Sequence, residues 1–274
     1  MLIVGERINT SRKVKGEPVI EQAVVARDTA YIQKLAKDQF EAGATYIDLN
    51  CGTLREGEPE ALEWLVKTVG EVVDAPVSFD SPNPVAIERA IAVYDMSKGQ
   101  PLINSITAES ERYSSILPLV LKYKTKVIAL SMDDSGIQQD PTVRLSVARE
   151  LVKKLLNAGV PVDDIYVDPL TFPIGTGSDV ALAMLDIIEK IMCEFPGIHT
   201  IAGISNVSHG MPARKFLNQA MTVLAMGRGL DAGIIDPMDR HLMALIAAAE
   251  ALLGRDDFSM NYIRCSREGK FDGI

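Results

Sequence analysis

The chain has 274 residues, 47% of them hydrophobic, enough to bury a large core in one domain or two. Its 28 Lys and Arg against 37 Asp and Glu leave a formal charge of −9, which argues against a nucleic-acid or anionic-membrane surface as the main partner, because either needs a positive field. Cys51, Cys193 and Cys265 lie far apart with no CxxC pair, so neither a disulfide framework nor a thiol-rich zinc site is indicated, and a reducing cytoplasm fits best.

In chain order, the run LIVGER (2–7) predicts a strand, its apolar part too short for a signal-peptide core, and a helical pattern follows over 19–42. TYIDLN (45–50) and a helix over 58–73 come next, then PVSFDS (76–81) with 84–95, and PLINSI (101–106) with 110–123. KVIALSM (126–132) precedes a helix over 141–158, in which Leu145, Ala148, Leu151, Val152 and Leu155 form an apolar stripe and Gly159 stands where a C-terminal cap belongs. IYVDPL (165–170) with 179–194, TIAGIS (200–205) with 212–228, and AGIIDP (232–237) with 239–253 complete the series. The last apolar stretch, HLMALIAAAEALLG, is interrupted by Glu250 and falls short of a membrane span.

Eight apolar strands alternating with eight helices predict a (β/α)₈ TIM barrel in one domain, 1–274. An open doubly wound sheet is the alternative, but no GxGxxG turn follows the first strand.

Chemistry in such a barrel sits where the strands end. Those ends are polar here: Glu6, Arg7 and Asn9; Asp48 and Asn50; Asp80 and Ser81; Asn104 and Ser105; Ser131, Met132 and Asp133; Asp168; Ser205 and Asn206; Asp236. Any one of them is explained by helix capping or an Asx turn, Asp80 and Asp168 especially. Together they would crowd polar groups onto one face, a conflict that a polar ligand resolves. Carboxylates and amides suit a heterocycle rich in N–H donors, whereas a phosphate would call for Lys or Arg after the seventh and eighth strands, and GISNVSHG and GIIDPM carry none at the strand end. His199, His209 and His241 have no metal-ligand spacing, so no protein-bound metal is expected; only His209, past the tip of the seventh strand, is placed to meet a ligand. Cys51 has no histidine beside it in sequence and reads as a packing residue.

Taken in order, GERIN (5–9), DLN (48–50), FDS (79–81), INS (103–105), VDPL (167–170) and GISNVS (203–208) resemble the pterin-binding methyltransferases, in the branch that moves a methyl group between methyltetrahydrofolate and a corrinoid protein. The resemblance implies a dihydropteroate synthase-like TIM barrel with the pterin across its mouth, working in one-carbon metabolism. It implies that Asp80, Asn104 and Asp168 hydrogen-bond the pterin and that Asn206 sits beside the ring nitrogen bearing the methyl group. Asp48, Asn50, Ser81 and Ser205 would support them, and Gly203 would allow close approach of the ring. His209 and Arg214 are candidate contacts for the corrinoid or the folate tail. The chain lacks a DxHxxG sequence, so cobalamin is expected on a partner protein. The family's habit implies a homodimer, with the Ala/Leu-rich last helix as candidate surface. Two other readings remain: a dihydropteroate synthase-like enzyme, against which counts the absence of a Ser-Arg-Lys signal after the seventh or eighth strand, and a folate-binding subunit without catalysis.

Overall fold

Eight parallel strands pair in sequence order and close on one another, β1 with β8, in the computed structural model, which describes residues 1–274. The order is β1 (Leu2–Asn9), α1 (Val19–Val25), α2 (Thr29–Glu41), β2 (Tyr46–Asn50), α3 (Glu58–Gly70), β3 (Val77–Asp80), α4 (Pro84–Ile91), β4 (Leu102–Ile106) and α5 (Ser110–Tyr123). It continues with β5 (Lys126–Leu130), α6 (Pro141–Asn157), β6 (Ile165–Asp168), α7 (Val180–Glu194), β7 (His199–Gly203), α8 (Arg214–Gly227), β8 (Ala232–Ile235), α9 (Arg240–Leu252) and α10 (Met260–Arg267). The expected (β/α)₈ barrel is therefore present. No helix is long and apolar enough to cross a membrane.

The strand period of two explains how one barrel holds both a dry floor and a polar rim. Val4, Tyr46, Leu102, Ile128, Tyr166, Ile201 and Ala232 pack against one another as a separate apolar cluster inside the barrel. Two residues further along the same face, Tyr46 gives way to Asp48, Leu102 to Asn104, Tyr166 to Asp168 and Ile201 to Gly203. The alternate residues, such as Ile47, Leu49, Phe79 and Ile103, point outward and join the main core under the helices. The inward face thus changes from apolar to polar as each strand climbs.

The structure departs from the sequence reading in places. The single helix expected over 19–42 is two: Asp28 accepts a hydrogen bond from the Tyr31 N–H at 3.1 Å as an N-cap, and Arg27 takes φ 55°, so the chain restarts at Thr29. β6 stops at Asp168 because Pro169 has no N–H for the ladder. Ser205 and Asn206 lie past β7, in a 3₁₀ turn over Ile204–Ser208. Beyond the expected last helix, α10 packs back on α9, and Arg255 pins the connection by donating to the carbonyls of Leu230 at 2.8 Å and Met226 at 3.1 Å.

His199 does open β7, at the barrel end away from the polar rim. Its Nδ1 lies 2.6 Å from Asp231 and its Nε2 3.0 Å from Asp163, and Tyr166 stacks on its ring. Hydrogen bonding to Asp231 holds its pKa above the usual histidine value. That cluster ties three βα units together at the base.

Candidate active site

The rim begins with a bulge. The register of β1 against β2 shifts between Gly5 and Ile8, and the freed Arg7 N–H donates to Gln39 Oε1 at 2.9 Å. A side chain at residue 5 would close this arrangement, since a Cβ on Gly5 would stand 2.7 Å from that same oxygen. The bulge aims Glu6 and Arg7 at the barrel mouth. Arg7 and Arg12 both grip Asp236 from β8, each with a nitrogen 3.0 Å from Oδ2. Glu6 accepts from the Ser205 hydroxyl at 3.3 Å, and burial pushes its pKa above the usual carboxyl value, with Arg12 opposing the shift.

Strand register lines up Asn50, Asp80 and Asn104 in one row across β2, β3 and β4. The Asn50 amide donates to Asp80 Oδ2 at 2.8 Å and accepts from the Gly52 N–H at 3.2 Å, so Asn50 serves to orient Asp80. Asp48 is 1% exposed, and its Oδ1 has no hydrogen-bond partner. Burial first, then the charge of Asp80, raises the Asp48 carboxyl well above its usual range; burial raises Asp80 as well, with the Asn50 amide and Asp48 opposing that shift. Asp168, at the end of β6, is pushed up to about 7 by burial, offset in part by the Leu170 N–H at 2.8 Å from Oδ1.

Ser81 and Asn104 differ from the rest. The Ser81 hydroxyl turns to the buried Glu58 at 2.6 Å, and the Ser81 N–H donates to the Asn104 carbonyl at 3.2 Å. Behind them Arg112 of α5 donates to the carbonyls of Ser81 at 2.8 Å, Pro82 at 2.6 Å and Ser105 at 2.6 Å. One guanidinium therefore fixes the chain after β3 and β4, where Asp80 and Asn104 sit.

On the opposite side, the turn after β7 exposes Asn206, whose side-chain amide makes no hydrogen bond to the protein. A Cβ at Gly203 would meet the Asn206 Nδ2 at 3.2 Å, so Gly203 makes room for this amide. Arg214 holds the turn by donating to the Ser205 carbonyl at 2.6 Å and the Ser208 hydroxyl at 3.0 Å, while His209 is exposed beside it.

A cavity of about 890 Å³ at the mouth gathers Glu6, Asp48, Asp80, Asp168, Gly203, Ser205, Asn206, His209 and Arg214. Asn50, Ser81 and Asn104, expected there too, do not line it: Asn50 is bonded to Asp80 and Ser81 to Glu58. Arg12, Lys13, Lys215 and Asn218 also line it and were missed from the sequence. The Ser-Arg-Lys at 11–13 follows β1, and closure of β1 on β8 carries it next to the β8 end, where Arg12 meets Asp236. A second cavity of about 840 Å³ lies outside the barrel between α2, α9 and α10, away from the strand ends. Cys51 is fully buried with its thiol pushed up to about 12, which removes it as a nucleophile.

Comparison with known proteins matches residues 6–236 to the model of the pterin binding enzymes. The chain belongs to that family. Among its relatives in this family, a methylcorrinoid:tetrahydrofolate methyltransferase of Eubacterium limosum is 34% identical over all of this chain and 99% of its own length. A methionine synthase of Mycobacterium leprae is 27% identical over 86% of this chain, which corresponds to 20% of that larger protein. Solved pterin-enzyme structures share the fold: a Yersinia pestis dihydropteroate synthase superposes with TM-score 0.68 at 16% identity over 92% of this chain and 94% of its own. One from Thermus thermophilus gives 0.67 at 20% identity over 92% and 94%.

Proposed function

We propose that the protein is a methyltransferase that moves a methyl group between N5 of tetrahydrofolate and the cobalt of a corrinoid carried by a partner protein. The observation that carries this is the full-length match to the Eubacterium limosum methyltransferase. The mouth supports it in detail. Asp80 and Asp168 offer acceptors for the pterin N–H groups, with Asn50 orienting Asp80 and Asn104 in register beside it; Ser81 instead braces Glu58, and Ser205 braces Glu6. Cobalt supplies the reacting centre, as nucleophile toward the methyl group in one direction and as leaving group in the other, so the chain's task is to bind, orient and manage one proton.

When N5 takes the methyl from the corrinoid, the carbon–cobalt bond breaks with its electron pair left on cobalt, and N5 sheds its proton. In the reverse direction N5 gains that proton as the methyl leaves. Asn206 is the residue for this atom, because a carboxamide accepts from N–H through its oxygen and donates to the bare nitrogen through its NH₂. Its freedom from protein hydrogen bonds leaves both ends available to the ring. His209 and Arg214 face the same mouth, where the corrinoid or the folate tail would approach.

The test is to mix the protein, tetrahydrofolate and a methylated corrinoid protein and follow cobalt by absorption. Appearance of the cobalt(I) spectrum with stoichiometric methyltetrahydrofolate is the expected result; no spectral change with any corrinoid partner would reduce the protein to a folate binder. We place this activity in one unit spanning residues 1–274, in a reducing cytoplasm, as a homodimer. Leu252, Phe258 and Met260, between 62% and 94% exposed around the junction of α9 and α10, support that pairing, which sedimentation equilibrium measures directly.

Arg112 gives a further expectation. Arg112→Met should weaken methyltetrahydrofolate binding roughly tenfold, because it releases three carbonyls that fix Asp80 and Asn104, each charge-assisted bond being worth ~1.5–3 kcal/mol before relaxation. Titration calorimetry beside thermal unfolding checks it. An unchanged affinity in a folded variant would remove Arg112 from the positioning of the pterin ligands.

A further inference from the structure

We infer that His199 is a pH-sensitive clamp at the base of the barrel: its doubly protonated ring joins Asp163 to Asp231, and loss of one ring proton loosens the entries of β6, β7 and β8. The ring is held from both sides. Its Nδ1 lies 2.6 Å from an Asp231 oxygen and its Nε2 3.0 Å from an Asp163 oxygen. A neutral imidazole has one N–H and one bare nitrogen, so it donates to only one of these carboxylates and turns a lone pair on the other. The imidazolium donates to both. Geometry therefore selects the charged ring.

The elements around it form a chain of alternating charge. Lys126, which opens β5, reaches Asp164 at 3.4 Å and Asp163 at 3.8 Å in the turn before β6. Asp163 meets His199 at the start of β7, and His199 meets Asp231, the residue before β8. Asp231 also accepts from the Thr200 N–H at 3.0 Å, and its carbonyl accepts from the Leu2 N–H at 2.8 Å, which brings in β1. Tyr166 of β6 stacks on the His199 ring, and Lys126 lies over the same phenol. Burial pushes the phenols of Tyr166 and Tyr46 well up, so neither changes charge near neutral pH. His199 is the member of this group whose ordinary range falls near neutrality, and its bond to Asp231 raises that range. When its proton leaves, Asp163, Asp164 and Asp231 face one lysine.

A histidine with a raised folded pKa adds stability that is full below its unfolded value and is lost as pH rises through the folded one. The Asp163 side chain is 77% exposed, against 25% for Asp231, so the Asp231 pair carries most of the effect.

The experiment joins NMR titration of the histidine side chains to thermal unfolding of the intact, ligand-free protein from about pH 5 to about pH 9. It involves no folate and so stands apart from the proposed activity. The chain has three histidines, and the signal missing from His199→Gln identifies the ring. Should that variant fail to fold, single substitutions of the exposed His209 and His241 identify it by elimination. The His199 ring should titrate above the ordinary histidine value of about 6.5. Asp231→Asn, which keeps an acceptor for the Thr200 N–H, should bring that midpoint down. His199→Gln should unfold about 2–4 °C below the unsubstituted protein at the acid end and converge with it at the alkaline end. The difference between the two proteins cancels the contribution of Asp168, which both retain. A ring that titrates at or below the ordinary value overturns the clamp, as does a midpoint unmoved by Asp231→Asn or a difference in Tm that stays constant with pH.

Discussion

Asn206→Ala is expected to slow methyl transfer by about a hundredfold or more while changing folate affinity by less than about threefold, because removing one hydrogen-bonding group placed at the reacting atom costs on the order of 10²–10³ in rate. The side chain sits on the exposed turn after β7, above a glycine that leaves it room, and spends no hydrogen bond on the protein. Its removal therefore costs little in folding, and the loss should appear in single-turnover rates at saturating folate. Asn206→Asp is the informative companion. An ionised carboxylate keeps the shape and the acceptor but loses the NH₂ donor, so the two directions of transfer should respond unequally. If Asn206→Ala retains a rate within about threefold of the unsubstituted protein, roughly 0.7 kcal/mol, the residue has no part in activating N5.

Asp168→Asn should weaken methyltetrahydrofolate binding by roughly tenfold to a hundredfold, the scale of a charge-assisted hydrogen bond worth ~1.5–3 kcal/mol. The amide preserves volume but turns half of an acceptor into a donor facing the ring's N–H groups. A pH signature accompanies the loss. Burial holds Asp168 up to about 7 in the free protein, so below that pH the carboxyl is largely neutral. Ring N–H donors favour the ionised form, which couples folate binding to proton release. Affinity should therefore rise with pH toward about 7 and then level off, and this component should vanish in Asp168→Asn. The sign for stability is opposite. A carboxyl whose folded pKa is raised adds stability that is full below its unfolded value and is lost as pH rises through the folded one, so the ligand-free protein should soften toward pH 7 and folate should restore it. Titration calorimetry and thermal unfolding across that range measure both effects; a pH-independent affinity in the unsubstituted protein would exclude Asp168 from the ring contacts.

The fold was legible because parallel strands buried on both faces leave unbroken apolar runs, and because polar residues recur where those runs end. Asp48, Asp80, Asp168, Gly203, Ser205 and Asn206 were all visible in this way. What stayed hidden depends on three-dimensional closure. Arg12 and Lys13 follow the first strand, and only the pairing of β1 with β8 brings them to the eighth. Arg112 looks like any charged residue on a helix until its guanidinium is seen among carbonyls of two other segments. The break at Arg27 and Asp28 was lost because a short side-chain cap overrides a continuous helical pattern. α10 was missed because it is only eight residues long and largely polar, too short for its apolar side to stand out.

The apolar cluster beneath the rim, from Val4 to Ala232, fills the barrel below the mouth cavity, so a ligand on the rim is reached from the mouth. On the proposed activity two large reactants would share it. A folate at the inner end would have to be seated before a corrinoid covered the mouth, and would leave only after the corrinoid withdrew. Traffic through the mouth is then ordered, and a crowded supply of corrinoid protein should trap the folate product inside. Under that order the speed of a full cycle would depend on how readily the two proteins part, so a partner that docks too tightly would be a poorer substrate than one that docks loosely.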